Sequence, residues 1–250
     1  MVKIDVLLDG QPLRTTQGIV GFCTVVLIEG AQRTIVDVGH VGRRMPLKAA
    51  LKMRGLTPAD IDNVVVSHVH WDHAQNLDIF PDARILVHGS ERRYAANPHP
   101  DDWATPAWSG RMLEIQRRIE EVEEGDEIEP GVRIIHTPGH SVGSICVVAE
   151  TEQGLAVVSG DVLHYGVAAL TRKNPVVFWS EREASLSIDR VVEMADVIYP
   201  GHDRPFRLVD GEVEYVKPFE LTLAGVHAQM EGLSFDMTPY GGYILPGIKD

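Results

Sequence analysis

The chain has 250 residues, 44% of them apolar, which allows a sizeable core and is compatible with a single domain over residues 1–250. Its formal charge of −13 argues against a polynucleotide partner, which needs a basic face, and no apolar run reaches the roughly 18 residues of a membrane span. Cys23 and Cys146 sit in apolar, strand-like runs and form no Cys-x-x-Cys pair, so both read as buried small apolar residues and thiolate zinc sites are excluded. The opening stretch MVKIDVLLDGQPLR lacks a basic start, an apolar run of signal length and a small-residue cleavage site, so a cytoplasmic location is expected.

In chain order, KIDVLL, GFCTVVLIEG and RTIVDVG read as strands. A helix follows over residues 46 to 54, with Pro46 near its start and Gly55 just past its end. IDNVVVS and RILVHG are further strands, and EIQRRIEEVEEG reads as a charged, exposed helix. VRIIHT, SICVVAE and LAVVSGD are three successive strands; residues 184 to 195 read as a helix, DVIYPGH as a strand and ELTLAGVHAQMEG as the last helix. Strands in runs with helices between them imply a sheet-rich core covered by helices. Residues 97 to 110 and 166 to 184 fit no element. Irregular segments of that length serve as pocket walls or lids, and the first, with Trp103 and Trp108, suits an interface as well.

The stretch SHVHWDHA, which follows Val64-Val65-Val66, packs three histidines and an aspartate into six positions. His68 and His70 lie two apart, so in extended chain both rings point to one side and converge. Asp72 and His73 fall where the chain turns into a helix and can face a second point nearby. Unpaired, such a cluster repels itself when protonated and is costly to desolvate, and a bound metal ion removes both problems. Imidazole and carboxylate suit zinc, manganese, iron or cobalt. Further donors stand just beyond apolar runs, each beside a glycine: His140 in HTPGHSVGS, Asp161 in VVSGDVLH and His202 in VIYPGHDRP.

In that order, His-x-His-x-Asp-His, Gly-His, Gly-Asp and Gly-His, the chain resembles the metallo-β-lactamase superfamily over nearly its whole length. The resemblance implies an α/β fold of four layers, an αββα sandwich, with the site along one edge of the two sheets. It implies that His68, His70 and His140 hold one divalent ion, that Asp72, His73 and His202 hold another, and that Asp161 bridges them. Zinc is the expected metal. Two such ions about 3.5–4 Å apart share a water and lower its pKa to about 7, giving a bridging hydroxide that attacks a carbonyl or phosphorus centre. Asp72 is the candidate for carrying the proton to the leaving group.

Departures narrow the choice within the superfamily. The β-lactamases generally lack the bridging aspartate, and flavodiiron proteins place Glu where His70 stands. RNA-processing members often insert a large domain where only 40 residues separate Asp161 from His202, and glyoxalase II enzymes add a longer helical domain than the 48 residues after His202 allow. The N-acyl-homoserine lactonases are close in length and spacing. They place a tyrosine three residues after the bridging aspartate; here that position is His164, with Tyr165 one step on. Both are candidates for holding the substrate, His164 as a donor in the tyrosine's place. The segments GDVLH, SLSIDR and ADVIYPGHDRPFRL also resemble the small metallo-β-lactamase-domain-containing proteins, which keeps a phosphodiesterase as the alternative, beside a thioester hydrolase, a single-iron oxygenase of the persulfide dioxygenase kind and a non-catalytic metal-holding scaffold. The expected function is hydrolysis of a small lactone or other carboxylic ester by a dinuclear centre, in a chain whose relatives often form homodimers.

Several residues outside that pattern are candidates for lesser roles. Asp37, in a turn resembling the family's Asp-Thr-Gly and followed closely by His40, supports the ligand loop through hydrogen bonds or stabilises its own turn. His88 approaches the site or is structural, His136 packs, and His99 and His227 are exposed. Arg172, Lys173 and Arg204 either meet an anionic substrate or are solvated surface charge.

Overall fold

The structure is a computed structural model describing residues 1–225, 234–236 and 241–248, so His227 and most of the expected last helix lie outside the described residues. In chain order the first half gives β1 (Lys3–Leu8), a short hairpin of β2 (Arg14–Thr15) and β3 (Gly18–Ile19), β4 (Val25–Glu29), β5 (Arg33–Val36), α1 (Arg44–Met53), β6 (Asn63–Val65), α2 (Trp71–Ala74), β7 (Arg84–His88), α3 (Gly89–Ala96), α4 (Ser109–Glu114) and β8 (Ile119–Val122). The second half gives β9 (Glu127–Glu129), β10 (Val132–His136), β11 (Ile145–Thr151), β12 (Gly154–Gly160), α5 (Gly166–Thr171), β13 (Val176–Val177), α6 (Glu181–Met194), β14 (Val197–Pro200), β15 (Phe206–Val209), β16 (Glu212–Tyr215) and β17 (Tyr243–Ile244). One sheet runs β1-β4-β5-β6-β7-β8, and the other runs β16-β15-β14-β12-β11-β10-β9.

Strand alternation produces the layers. In β4, Val25 and Leu27 point out toward α1, where Leu47 and Leu51 cover them, while Val26 and Ile28 point inward. In the second sheet, Ile134, Val147 and Val158 meet them from across the sandwich, while Ile135, Cys146, Val148 and Val157 pack under Ile188 and Val191 of α6. Period-two patterning thus builds three apolar layers between helix, sheet, sheet and helix. Each fully buried aliphatic chain in them contributes roughly 1.5–3 kcal/mol. Both cysteines are fully buried, as their apolar context suggested.

Three expectations need correction. EIQRRIEEVEEG is not a helix: α4 ends at Glu114 and the middle of the segment is β8, a parallel edge strand on β7. Its glutamates favour helix in isolation, but Val122 is buried in the sandwich and Glu120 and Glu121 pair with Arg84 and Arg92 along the edge. Residues 166 to 184 are not wholly irregular: they contain α5, β13 and the start of α6, whose Ser180 Oγ accepts the Glu183 N–H at 3.0 Å as an N-cap. The expected last helix is absent from its described part, residues 220 to 225.

Candidate metal centre

The expected ligands come from five strand ends or turns on one edge of the sandwich. His68 and His70 follow β6, Asp72 and His73 open α2, His140 follows β10, Asp161 follows β12 and His202 follows β14. All are buried. Tight turns let the segments converge: a Cβ on Gly201 would lie 2.0 Å from Asp161 Oδ1, and Gly139 combines φ +135° with a Cβ position 2.1 Å from the Ala184 backbone nitrogen.

Two groups of donors form, divided by one carboxylate. His140 Nε2 lies 2.9 Å from His70 Nδ1 and 3.2 Å from His68 Nε2. Asp161 Oδ2 faces this trio, 3.6 Å from His140 Nε2 and 3.9 Å from His68 Nε2. Its Oδ1 faces the other way, 3.2 Å from His73 Nε2 and 3.3 Å from His202 Nε2. Asp72 Oδ2 completes that second group, 3.3 Å from His202 Nε2 and 3.6 Å from His73 Nε2.

Hydrogen bonds behind the rings aim their lone pairs inward. His73 Nδ1–H donates to Asp37 Oδ2 at 2.8 Å, and His140 Nδ1–H to the Val176 carbonyl at 2.7 Å. His68 Nδ1–H donates to Ser67 Oγ at 3.0 Å, whose own hydrogen goes to Asp37 Oδ2 at 2.7 Å. Each assignment puts the proton on the outer nitrogen and the lone pair on Nε2. Asp37 also accepts the Ser67 N–H at 2.8 Å and holds a left-handed backbone, φ +58°, so the supporting role expected of it is realised at both groups.

The donor set fits divalent cations. Without one, His73 Nε2 and Asp161 Oδ1 are buried atoms with no hydrogen-bond partner, and three ring lone pairs face one another. Burial, reinforced by the neighbouring histidines, pushes the pKa values of His68 and His140 well down, and pushes that of His70 to about 3 despite Asp161. At His73 burial acts downward, but Asp161, Asp72 and Asp37 outweigh it and the shift is upward. His202 is shifted upward too: burial lowers it and Asp161 more than compensates.

The other candidates divide. His164 Nε2 stands 3.0 Å from Asp161 Oδ2 and its Nδ1 has no partner, so the residue faces the Asp161 carboxylate. Asp72, His164 and Tyr165 all line the cleft over the donors, whose walls include Leu13, Ile19, Trp71, Trp103 and Phe178. His40 stacks on Phe22 and tilts against Trp71. His88 does not approach the site: it stacks on His136 at 4.0 Å and caps α3. Arg172 pairs with Asp189, Arg204 lies over the Tyr215 ring, and Lys173 borders a neighbouring hollow; none lines the cleft. His99 is exposed. Of the aromatic pair, Trp103 is a cleft wall, while Trp108 is half exposed before α4. Sequence reasoning missed the hairpin of β2 and β3 as a wall, and it missed Glu91, a buried carboxylate on α3.

The family model for the metallo-beta-lactamase superfamily matches residues 18–202, the span that holds every donor. The chain belongs to the metallo-β-lactamase superfamily. Metallo-beta-lactamase domain-containing protein 1 of Xenopus laevis is 30% identical over 193 residues, 74% of this chain and 72% of that protein. An N-acyl homoserine lactonase of Bacillus thuringiensis is 32% identical over 163 residues, 61% of this chain and 60% of the lactonase, so several of the superfamily relatives are spanned for less than two thirds of their length. Among solved structures, a probable metal-dependent hydrolase of Staphylococcus aureus superposes with a TM-score of 0.72 at 21% identity, covering 88% of this chain and 98% of that one. Among the described residues no helix is long and apolar enough to cross a membrane.

Proposed function

We propose that the protein is a two-metal hydrolase acting on a lactone or other carboxylic ester, of the kind the N-acyl homoserine lactonase relative is named for. The observation that carries this reading is the division of Asp161, with Oδ2 toward His68, His70 and His140 and Oδ1 toward His73 and His202. A carboxylate set between two donor groups is suited to bridging two ions. Zinc fits the donors best, since His and Asp satisfy it without the all-oxygen shell that magnesium or calcium demand. Bound there, a pair of divalent ions supplies Lewis-acid polarisation of the ester carbonyl and activation of water at neutral pH.

The chain's own residues supply the rest. Leu13, Ile19, Trp71, Trp103 and Phe178 give apolar walls that exclude water and suit an acyl group. Asp72, which lines the cleft, is the candidate for carrying a proton to the leaving alkoxide. His164 holds Asp161 Oδ2 through Nε2–H, and Tyr165 beside it is the candidate for the substrate carbonyl. The net charge of −13 also favours a neutral ester over a polyanion.

The test is base uptake at constant pH by zinc-reconstituted protein with an N-acyl-homoserine lactone, beside an Asp161→Ala control. Uptake that disappears in the control is expected. No uptake with lactones or simple esters, together with turnover of bis(p-nitrophenyl) phosphate, would replace this reading with a phosphodiesterase.

A further inference from the structure

Glu91 is fully buried in the first turn of α3, and no Lys, Arg or His nitrogen pairs with it among the described residues. An isolated carboxylate in that position carries a desolvation penalty, which hydrogen bonds must offset. The donors come from two ligand loops. Oε1 accepts the backbone N–H of Val69, between His68 and His70, at 3.0 Å. Oε2 accepts Ser141 Oγ–H at 2.9 Å and the Gly143 N–H at 2.8 Å, just after His140. Gly143 presses so closely on α3 that a Cβ there would lie 2.3 Å from the Glu91 nitrogen.

We infer that Glu91 is a positioning residue that ties the His68–His70 loop to the His140 loop and thereby sets the geometry of the three-histidine metal group alone. The inference rests on the two-metal reading of the centre. A carboxylate suits the task because both of its oxygens only accept, so it can clamp donors from two loops at once. Glutamine keeps the shape but turns an amide N–H toward a backbone N–H, releasing one loop. None of the three bonds reaches the segment carrying Asp72, His73 or His202.

The experiment is titration of the metal-free protein with Co2+, read by the hyperfine-shifted N–H protons of ligating histidines. The first group contributes three (His68, His70, His140) and the second two (His73, His202). In Glu91→Gln the set of three is expected to need about 10–100-fold more metal, the usual range for residues behind the ligands, with the set of two unchanged. Unchanged titration of both sets overturns the inference. So does equal weakening of both sets with a lower melting temperature of the metal-free protein, which marks general structural damage. If Glu91→Gln does not fold, Ser141→Ala decides: it keeps both backbone bonds and is expected to weaken the set of three selectively, and no change overturns the inference. A wild-type protein that shows only the set of three refutes the two-metal reading while leaving Glu91 tested on that set; one that binds no metal refutes both.

Discussion

Asp37 is the residue whose replacement tests the layout most sharply. It is 2% exposed and accepts three hydrogen bonds, from Ser67 N–H, Ser67 Oγ–H and His73 Nδ1–H, all between 2.7 and 2.8 Å. Asn tolerates the same left-handed backbone, so Asp37→Asn isolates the side-chain chemistry. The amide oxygen can keep the Ser67 N–H, but the amide nitrogen then stands where Oδ2 accepted two donors. Each bond to a charged group is worth about 1.5–3 kcal/mol, and relief from burying the charge returns part of that, leaving a net loss of about 2–4 kcal/mol. For a chain this long that is a fall in melting temperature of roughly 4–16 °C. His73 must also move its proton to Nε2 to accept from the amide, which removes its inward lone pair. Metal affinity is therefore expected to fall by about 10–100-fold. Differential scanning fluorimetry of the metal-free protein and competitive zinc titration measure the two effects. Wild-type stability together with wild-type affinity would refute this role of Asp37.

Other predictions address the rest of the site. His164→Ala is expected to lower kcat by about 10–100-fold with little change in KM, since the ring holds Asp161 Oδ2; an unchanged kcat in initial-rate assays would remove that role. Stripping the metal with a chelator is expected to lower the melting temperature and zinc to restore it, by about 4 kcal/mol of stability at a thousandfold excess over Kd; indifference to both treatments would speak against metal binding. The metal-free protein is expected to be most stable near pH 6.5 in urea melts across pH. The raised pKa values of His73 and His202 contribute stability that is lost as pH rises through them, while the lowered values of His68, His70 and His140 mean that below pH 6.5 the unfolded chain gains protons the folded one refuses. A flat profile would contradict the buried histidine layout. Cys23 and Cys146, with burial pushing both thiols up to about 12, should not react with Ellman's reagent at pH 8 unless the protein is unfolded.

The donors were legible because strand ends carry a local signal. An apolar run followed by Gly and His or Asp is such a signal, and its repetition at residues 140, 161 and 202 picked out the further donors, while the shared edge was implied by the superfamily resemblance. The strands themselves were legible as near-continuous apolar runs such as VVLIE and ICVVAET, which are buried on both faces, while the division into four layers was implied by the superfamily resemblance. Glu91 was not. In GSERR it stands between Ser90 and two arginines and reads as surface charge; only the arrival of residues 141 to 143, in the loop between β10 and β11, buries it. The strand β8 was lost similarly, because helix-favouring glutamates are overruled by pairing with β7. Cleft walls such as Leu13 and Phe178 carry no motif at all, since any apolar side chain of suitable size serves there.

Two carboxylates give the centre its logic. Asp161 stands inside and offers one oxygen to each donor group, while Asp37 stands outside and orients one histidine of each, His73 directly and His68 through Ser67. The two groups are therefore linked twice, from the front and from behind. Glu91 breaks this symmetry, because its bonds reach only the loops of the three-histidine group. On the two-metal reading, a change at Asp37 or Asp161 should weaken both metals, and a change at Glu91 only one. Weakening of a single metal by Asp37→Asn would mean that the chain from Asp37 through Ser67 to His68 does not carry orientation, and that the first group is held by its loops alone.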